Sequence, residues 1–364
     1  MNFIKPDNLI GEITIIGTGG GYGESCVIHL GNQKWVVVDS CIDPNNHKSL
    51  PLQYLESINV NTNKDVILIV CTHWDDDHIL GISQLLENCA TSDFSFAKAN
   101  DKVKFLRMVS LDYLKILKDA TSSSTKEFNK CIEIIEDRKS KLKLSYPDRI
   151  LATVSVNDFV NQVISLSPSD TAIQQFDLEI SNLITEYGQS NRHIVQLSPN
   201  FNSVALFVKL GSHRAILGAD LEVSATNSKI GWDDILNNSQ SVDKKAAFFK
   251  IPHHGSQNAY HEKLWDDMLS NSTKSGLTPW NRGQKLPTLK MQEIYKNKSD
   301  ELFITSNFSK GNPKKRDKAT LKMMRDLNIE LEEVPYKHGI IRARVNMAND
   351  TNWQIEIFGT ATKL

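Results

Sequence analysis

Short apolar runs open the chain, and each is closed by glycine or by a knot of charge. Glu12 to Ile16 reads as a strand ending in the glycine-rich turn Gly17-Thr-Gly-Gly-Gly-Tyr-Gly23. Ser25 to Leu30 and Lys34 to Asp39 are two more strands, joined at Gly31-Asn32, a hairpin signal. Asp65-Val-Ile-Leu-Ile-Val-Cys71 is apolar and β-branched without a break, which predicts a strand covered on both faces. Past His78, the positions Ile79, Ile82, Leu85 and Leu86 keep the spacing of one helix face.

From about 90 to 195 the chain is more polar and reads as mostly helical, an insertion or lid within a single domain spanning 1–364. Ser124-Thr-Lys-Glu127 is a capping box opening a helix with Phe128, Cys131, Ile132 and Ile135 on one face. Strands then return at Ser203 to Leu210, Arg214 to Gly218 and Ala246 to Ile251. Leu321, Met324 and Leu327 mark a late helix, and Ile329 to Val334 and Gly339 to Val345 mark late strands. Strands and helices alternate in both halves, so the fold class is α/β.

Composition narrows this little. Lys+Arg number 42 against Asp+Glu 43, so a generic nucleic-acid coat or polybasic anchor is not expected. Cys26, Cys41, Cys71, Cys89 and Cys131 show no CxxC spacing, which fits a reducing compartment and neither a disulfide scaffold nor a zinc knuckle. No basic n-region precedes an apolar run at the start, and no stretch is long and apolar enough for a bilayer. The expectation is a cytoplasmic protein with no membrane contact.

Chemistry concentrates in Thr72-His-Trp-Asp-Asp-Asp-His78. Five ionisable side chains directly after a buried strand are costly unless something offsets their desolvation. A dication is the natural partner, with His73, Asp75, Asp77 and His78 as mixed nitrogen and oxygen ligands where α/β sheets keep their sites. A solvated acidic turn capping the next helix is the plainer alternative. Ile251-Pro-His-His-Gly-Ser256 also follows an apolar strand, and one of His253 and His254 can ligate while the other binds substrate or orients a ligand. Asp220, closing another strand, either caps a helix or bridges two ions. The segment Gly19-Gly-Gly-Tyr-Gly23 lacks the lysine and the Ser/Thr of a phosphate loop. Lys310 to Lys322 is a dense basic run, and Arg342 and Arg344 share one face of the last strand as candidate substrate-binding residues.

Taken in order, Val38-Asp-Ser40, His73-x-Asp-x-Asp-His78, Gly218-Ala-Asp220 and Pro252-His-His-Gly-Ser256 resemble the metallo-β-lactamase superfamily. The branch nearest in pattern is the one resembling the nuclease-like domain of the competence protein ComEC. The resemblance covers roughly 11–90 and 198–260. It implies an αββα sandwich with a helical insertion and one or two divalent ions at an edge of the paired sheets. His73 and Asp75 match the first-ion positions; Asp77, His78 and one of His253 and His254 match the second. Asp220 matches the bridging acid, and Asp39 the acid supporting the metal loop. Two departures stand out: Asp75 replaces the usual second histidine, and the third-motif histidine falls near Asn202. An oxygen-rich first site suits manganese, iron or magnesium better than zinc, though zinc stays on the list.

The activity so implied is metal-dependent hydrolysis, foremost of phosphodiesters, by a metal-activated water, with Asp76, Asp77 or Asp220 moving the proton. Nucleic acid or a nucleotide is the expected substrate, and a protein partner encoded in the same operon fits such relatives. An ester or lactone hydrolase, a diiron oxidoreductase and a degenerate metal-binding module are the alternatives.

Overall fold

The computed structural model describes residues 4–97, 123–138, 141–187, 199–307, 318–327 and 338–364. Their strands form two eight-stranded sheets. The first sheet contains β1 (Ile10–Gly17), β2 (Glu24–His29), β3 (Trp35–Val38), β4 (Val66–Cys71), β5 (Asp93–Ala97) and β6 (Leu142–Ser145). The second contains β7 (Arg149–Val156), β8 (Phe159–Ser165), β9 (Leu206–Leu210), β10 (His213–Leu217), β11 (Ala246–Lys250), β12 (Leu269–Leu277) and β13 (Glu301–Ile304). Late strands complete both. β14 (Gly339–Asn346) and β15 (Gln354–Gly359) extend the first sheet beyond β1, and β16 (Thr362–Lys363) borders β13 in the second.

Burial follows from the sequence pattern. In β4, Leu68 and Val70 face the second sheet, whereas Val66, Ile69 and Cys71 face the helices outside, so the unbroken apolar run is covered on both faces. Between the sheets, Ile13, Ile15, Val36 and Val38 meet Leu206, Val208, Leu217 and Phe248. The helices Leu50–Ser57, Ile82–Asn88 and Ser123–Arg138 cover the first sheet. Gly231–Asn238 and Leu289–Lys298 cover the second, so the architecture is an αββα sandwich.

Within 90–195 the described residues carry the helices Ser123–Arg138 and Asp170–Tyr187 together with four strands. β5 and β6 extend the first sheet, and β7 and β8 form an edge of the second. The alternation of buried Leu151, Val154 and Val156 with exposed neighbours commits Arg149–Val156 to a strand. Asn157, at φ 51°, makes the turn into β8. The helix at Ser123–Arg138 forms as expected, but Glu127 of its capping box accepts from the amides of Gly81 and Ser83, capping the neighbouring helix. The late helix is present at Lys318–Asp326, with Lys322 exposed. Most of the basic run from Lys310, and the strand expected at Ile329 to Val334, lie outside the described residues.

β3 to β6 run parallel, as do β10 to β13. The loops leaving β3, β4, β10, β11 and β12 therefore emerge in register at the C-terminal ends of parallel strands, where open sheets leave room for a site.

Candidate metal centre

Those loops bring together Asp39, the segment His73–His78, Asp220, the pair His253–His254, and Thr278–Arg282. Four non-glycine residues along them are left-handed: Asp39 (φ 58°), Ala219 (44°), His253 (46°) and His254 (52°). Such conformations carry strain and cluster at functional sites. Glu24, the first residue of β2, enters from the opposite strand direction. A Cβ on Gly23 would lie 2.5 Å from Cys41 Cβ, so the turn before Glu24 admits no side chain.

Glu24, His78, Asp220 and His254 are all buried, and one ligand atom from each lies within 4.8 Å of every other. His78 is the hub. Its Nδ1 is 2.8 Å from Asp39 Oδ2, which turns Nε2 toward Asp220 Oδ1 at 3.3 Å and Asp77 Oδ2 at 3.6 Å. Asp39 is itself fixed by the Thr72 amide (2.7 Å) and hydroxyl (2.6 Å). His254 is placed the same way: Nδ1 lies 3.1 Å from the Thr278 carbonyl and Nε2 3.0 Å from Asp77 Oδ2. The Trp280 ring stacks on His254, centroids 5.5 Å apart and planes 27° from parallel.

His73 faces the other side of Asp220. Its Nε2 is 3.8 Å from both Asp75 Oδ2 and Asp220 Oδ2. The Ser203 hydroxyl links the two halves, accepting from the Asp220 amide at 3.1 Å and lying 3.4 Å from His73 Nδ1. His253 Nε2 is 4.0 Å from Asp220 Oδ2, and its Nδ1 is 3.1 Å from Glu222 Oε1, which accepts from Asn200 at 2.7 Å. Trp74 anchors the loop between Phe128 and Phe176, its ring centroid 6.3 Å and 5.3 Å from theirs. Both phenylalanines belong to helices of the 90–195 stretch.

Electrostatics match a cation site. Burial lowers the His73 pKa to about 3, leaving a neutral imidazole with a lone pair to offer. Burial and the neighbouring Asp77 lift Asp75 to about 6. At His78 burial is outweighed by Asp220, Asp77, Glu24 and Asp39, which hold its pKa well above normal. Asp220 is buried too, yet His78 and His254 keep it well below the carboxylate range. The residues fit a divalent cation: His73 Nε2, His78 Nε2 and Asp220 Oδ1 are sealed from solvent and have no hydrogen-bond partner among the described residues.

The seven expected ligands thus fall into one cluster, with His254 beside Asp77 and His78, and His253 beside Asp220 and Glu222. Asp76 is half-buried in the first turn of the short helix Asp76–Ile79. Asn202 is buried in the turn Pro199–Asn202, its Oδ1 without a partner among the described residues. Sequence reasoning passed over Glu24, Glu222 and Asn200. An acid opening the apolar run of β2, right after a glycine turn, was the available signal for Glu24.

Arg342 and Arg344 are not brought to the centre. Their register on β14 sets them opposite Thr14 and Glu12 of β1. Arg342 pairs with Glu356 at 2.9 Å and lies under the Phe358 ring, while Arg344 pairs with the fully buried Glu12 at 2.7 Å. Both serve the outer face of the first sheet.

No family model and no curated protein matches the chain. Solved structures do. The chain is similar to the metallo-β-lactamase fold protein YhfI from Bacillus subtilis, at 12% identity over 81% of this chain and 95% of that one, with a TM-score of 0.39. It is similar also to MEM-A1, a subclass B3 metallo-β-lactamase from a soil metagenome library (12%, 70% and 83%, TM-score 0.34). A third is AbOPH, a hydrolase in the β-lactamase superfamily (13%, 54% and 55%, TM-score 0.31). Superpositions this loose leave the chemistry to the side chains. Among the described residues, no helix is long and apolar enough to cross a membrane.

Proposed function

We propose that this protein is a metal-dependent hydrolase acting on phosphodiesters. The observation that carries the reading is the convergence of buried ligand atoms of His73, His78 and Asp220, which face one another at 3.3–3.8 Å with no hydrogen bond among the described residues, on one carboxylate-rich cleft. Asp77, His78, Asp220 and His254 would hold one ion, with Glu24 at its edge, and His73, Asp75 and Asp220 would hold a second. A divalent cation bound there supplies Lewis acidity and a water of lowered pKa. The chain's own part is orientation. Asp39 fixes the ring of His78, the Thr278 carbonyl fixes that of His254, and Glu222 holds His253 against the open side of Asp220.

The sequence pattern around Pro252-His-His-Gly-Ser256 supports the ComEC-like branch and a nucleotide or nucleic-acid substrate. Oxygen donors outnumber imidazoles around His73, which supports manganese over zinc in that half. All five cysteines are buried free thiols, in keeping with cytoplasmic residence, and a protein partner from a shared operon fits the same reading. The engagement of Arg342 and Arg344 elsewhere favours a second reading, an ester or lactone hydrolase, because it takes two of the basic residues expected beside a phosphodiester away from the centre.

Metal analysis of the purified protein, then hydrolysis assays with Mn²⁺, Zn²⁺ and Mg²⁺, tests both. Turnover of bis-p-nitrophenyl phosphate above that of a neutral lactone is expected; the reverse order establishes the ester hydrolase.

A further inference from the structure

We propose that Arg282 is the anion-recognition residue of this centre, binding a phosphate group of the substrate while the scissile bond lies at the ions. The inference deepens the phosphodiesterase reading and rests on it for the identity of the substrate.

The loop after β12 is built to hold Arg282 in place. Trp280 and Leu286 exchange two backbone hydrogen bonds of 2.9 Å, closing the segment between them. The Asn281 amide donates to the Gly21 carbonyl at 3.2 Å, tying this loop to the glycine turn that precedes Glu24. Asn281 itself is buried, so the tie is fixed from within. Arg282 is exposed, and its guanidinium carbon sits 4.8 Å from the Tyr22 ring centroid and 6.0 Å from that of Trp280. Trp280 is the ring that stacks on His254. The cation therefore stands one aromatic ring away from a metal-cluster residue, positioned by two π faces.

Among the described residues, Arg282 differs from Arg138, Arg149, Arg214, Arg342 and Arg344 in having no acceptor for its N–H groups. Arg214 is held by Asp243, Arg342 by Glu356 and Arg344 by Glu12, while Arg138 and Arg149 donate to backbone carbonyls. Among the described residues Arg282 has neither a carboxylate nor a carbonyl acceptor. A guanidinium oriented by rings but unsatisfied at its N–H groups presents its donor fork to a ligand, and that fork matches phosphate oxygens in pairs. Tyr22 and Trp280 supply the rigidity that a free surface arginine lacks.

The test is calorimetric titration of the manganese-loaded protein with inorganic phosphate, for wild type, Arg282→Ala and Arg282→Lys. Loss of a charge-assisted pair corresponds to about a tenfold or greater weakening in Arg282→Ala. Arg282→Lys recovers part of it, as a point charge without the fork. Manganese content stays equal in all three. Equal phosphate affinity in wild type and Arg282→Ala overturns the proposal, as does a wild type that binds no phosphate. Turnover of bis-p-nitrophenyl phosphate is measured alongside. If phosphate binding depends on Arg282 but the wild type cleaves no diester, the anion site stands and the phosphodiesterase reading alone falls.

Discussion

The ammonium of Lys250 donates to the carboxylate of Glu24 at the floor of the metal centre, and the side chains are only 1% and 4% exposed. Burial works against the charge on Lys250, but Glu24 and Asp220 more than offset it and raise its pKa. The Glu24 carboxylate also accepts from the Thr278 hydroxyl, and Lys250 donates to the Ala219 carbonyl at 3.1 Å. One internal cation thus balances carboxylates from two separate segments, Glu24 and Asp220.

Lys250→Met should therefore be severely destabilising, by roughly 3–5 kcal/mol, because it strands a buried carboxylate. Combining it with Glu24→Gln should return much of the loss. Urea denaturation of the two single variants and the double variant checks this; additive losses would mean the residues do not act as a pair.

Asp75→Ala should lose one ion per chain and retain the other, since Asp75 approaches His73 and not His78. His254→Ala should do the opposite, and Asp220→Ala should lose both. Metal-to-protein ratios by mass spectrometry distinguish the three outcomes.

Replacing Arg342 and Arg344 together with alanine should leave hydrolysis unchanged and lower stability. Arg344 offsets Glu12, which is fully buried and also accepts from Tyr54 (2.6 Å) and Thr14 (2.8 Å). An unsatisfied buried acceptor costs about 1–3 kcal/mol. Thermal melting and steady-state kinetics on one preparation separate the two effects.

His29 makes stability depend on pH. It is wholly buried against Trp35, its Nδ1 is 2.7 Å from the Ile10 carbonyl, and burial lowers its pKa to about 4. The unfolded chain binds a proton near 6.5, so its contribution is complete above that pH and is lost as pH falls toward 4. At about 1.4 kcal/mol per unit, the loss reaches a few kcal/mol. His29→Gln should flatten the decline in urea midpoint between pH 6.5 and 4, measured with chelator present so that metal binding does not contribute.

The parts of this molecule that could be read from sequence were those whose signal is local. β4 declares itself by an unbroken apolar run, the β2–β3 hairpin by Gly31-Asn32, and the metal loop by its density of charge. What escaped was set by pairing across distance. Glu24 is marked locally only by the glycine turn before it, and its role is defined beside Lys250 and Thr278, far along the chain, while Arg342 looks available until Glu356 is placed opposite it. β7 and β8 are different: the alternation through Val156, the turn at Asn157-Asp158 and the β-branched run after it formed a readable hairpin. The polarity of the exposed alternate positions masked it.

β14 pairs with β1 along its full length, from Ile10 opposite Asn346 to Gly17 opposite Gly339. During synthesis β1 gains β2 within a few residues, and then waits until β14 has been made before its other edge is covered. Throughout that interval a row of unpaired amides and carbonyls on a strand of isoleucines is open to any neighbouring polypeptide. The nascent protein thus carries an aggregation hazard along β1 until β14 is made, and a translational pause upstream of Gly339 would prolong it.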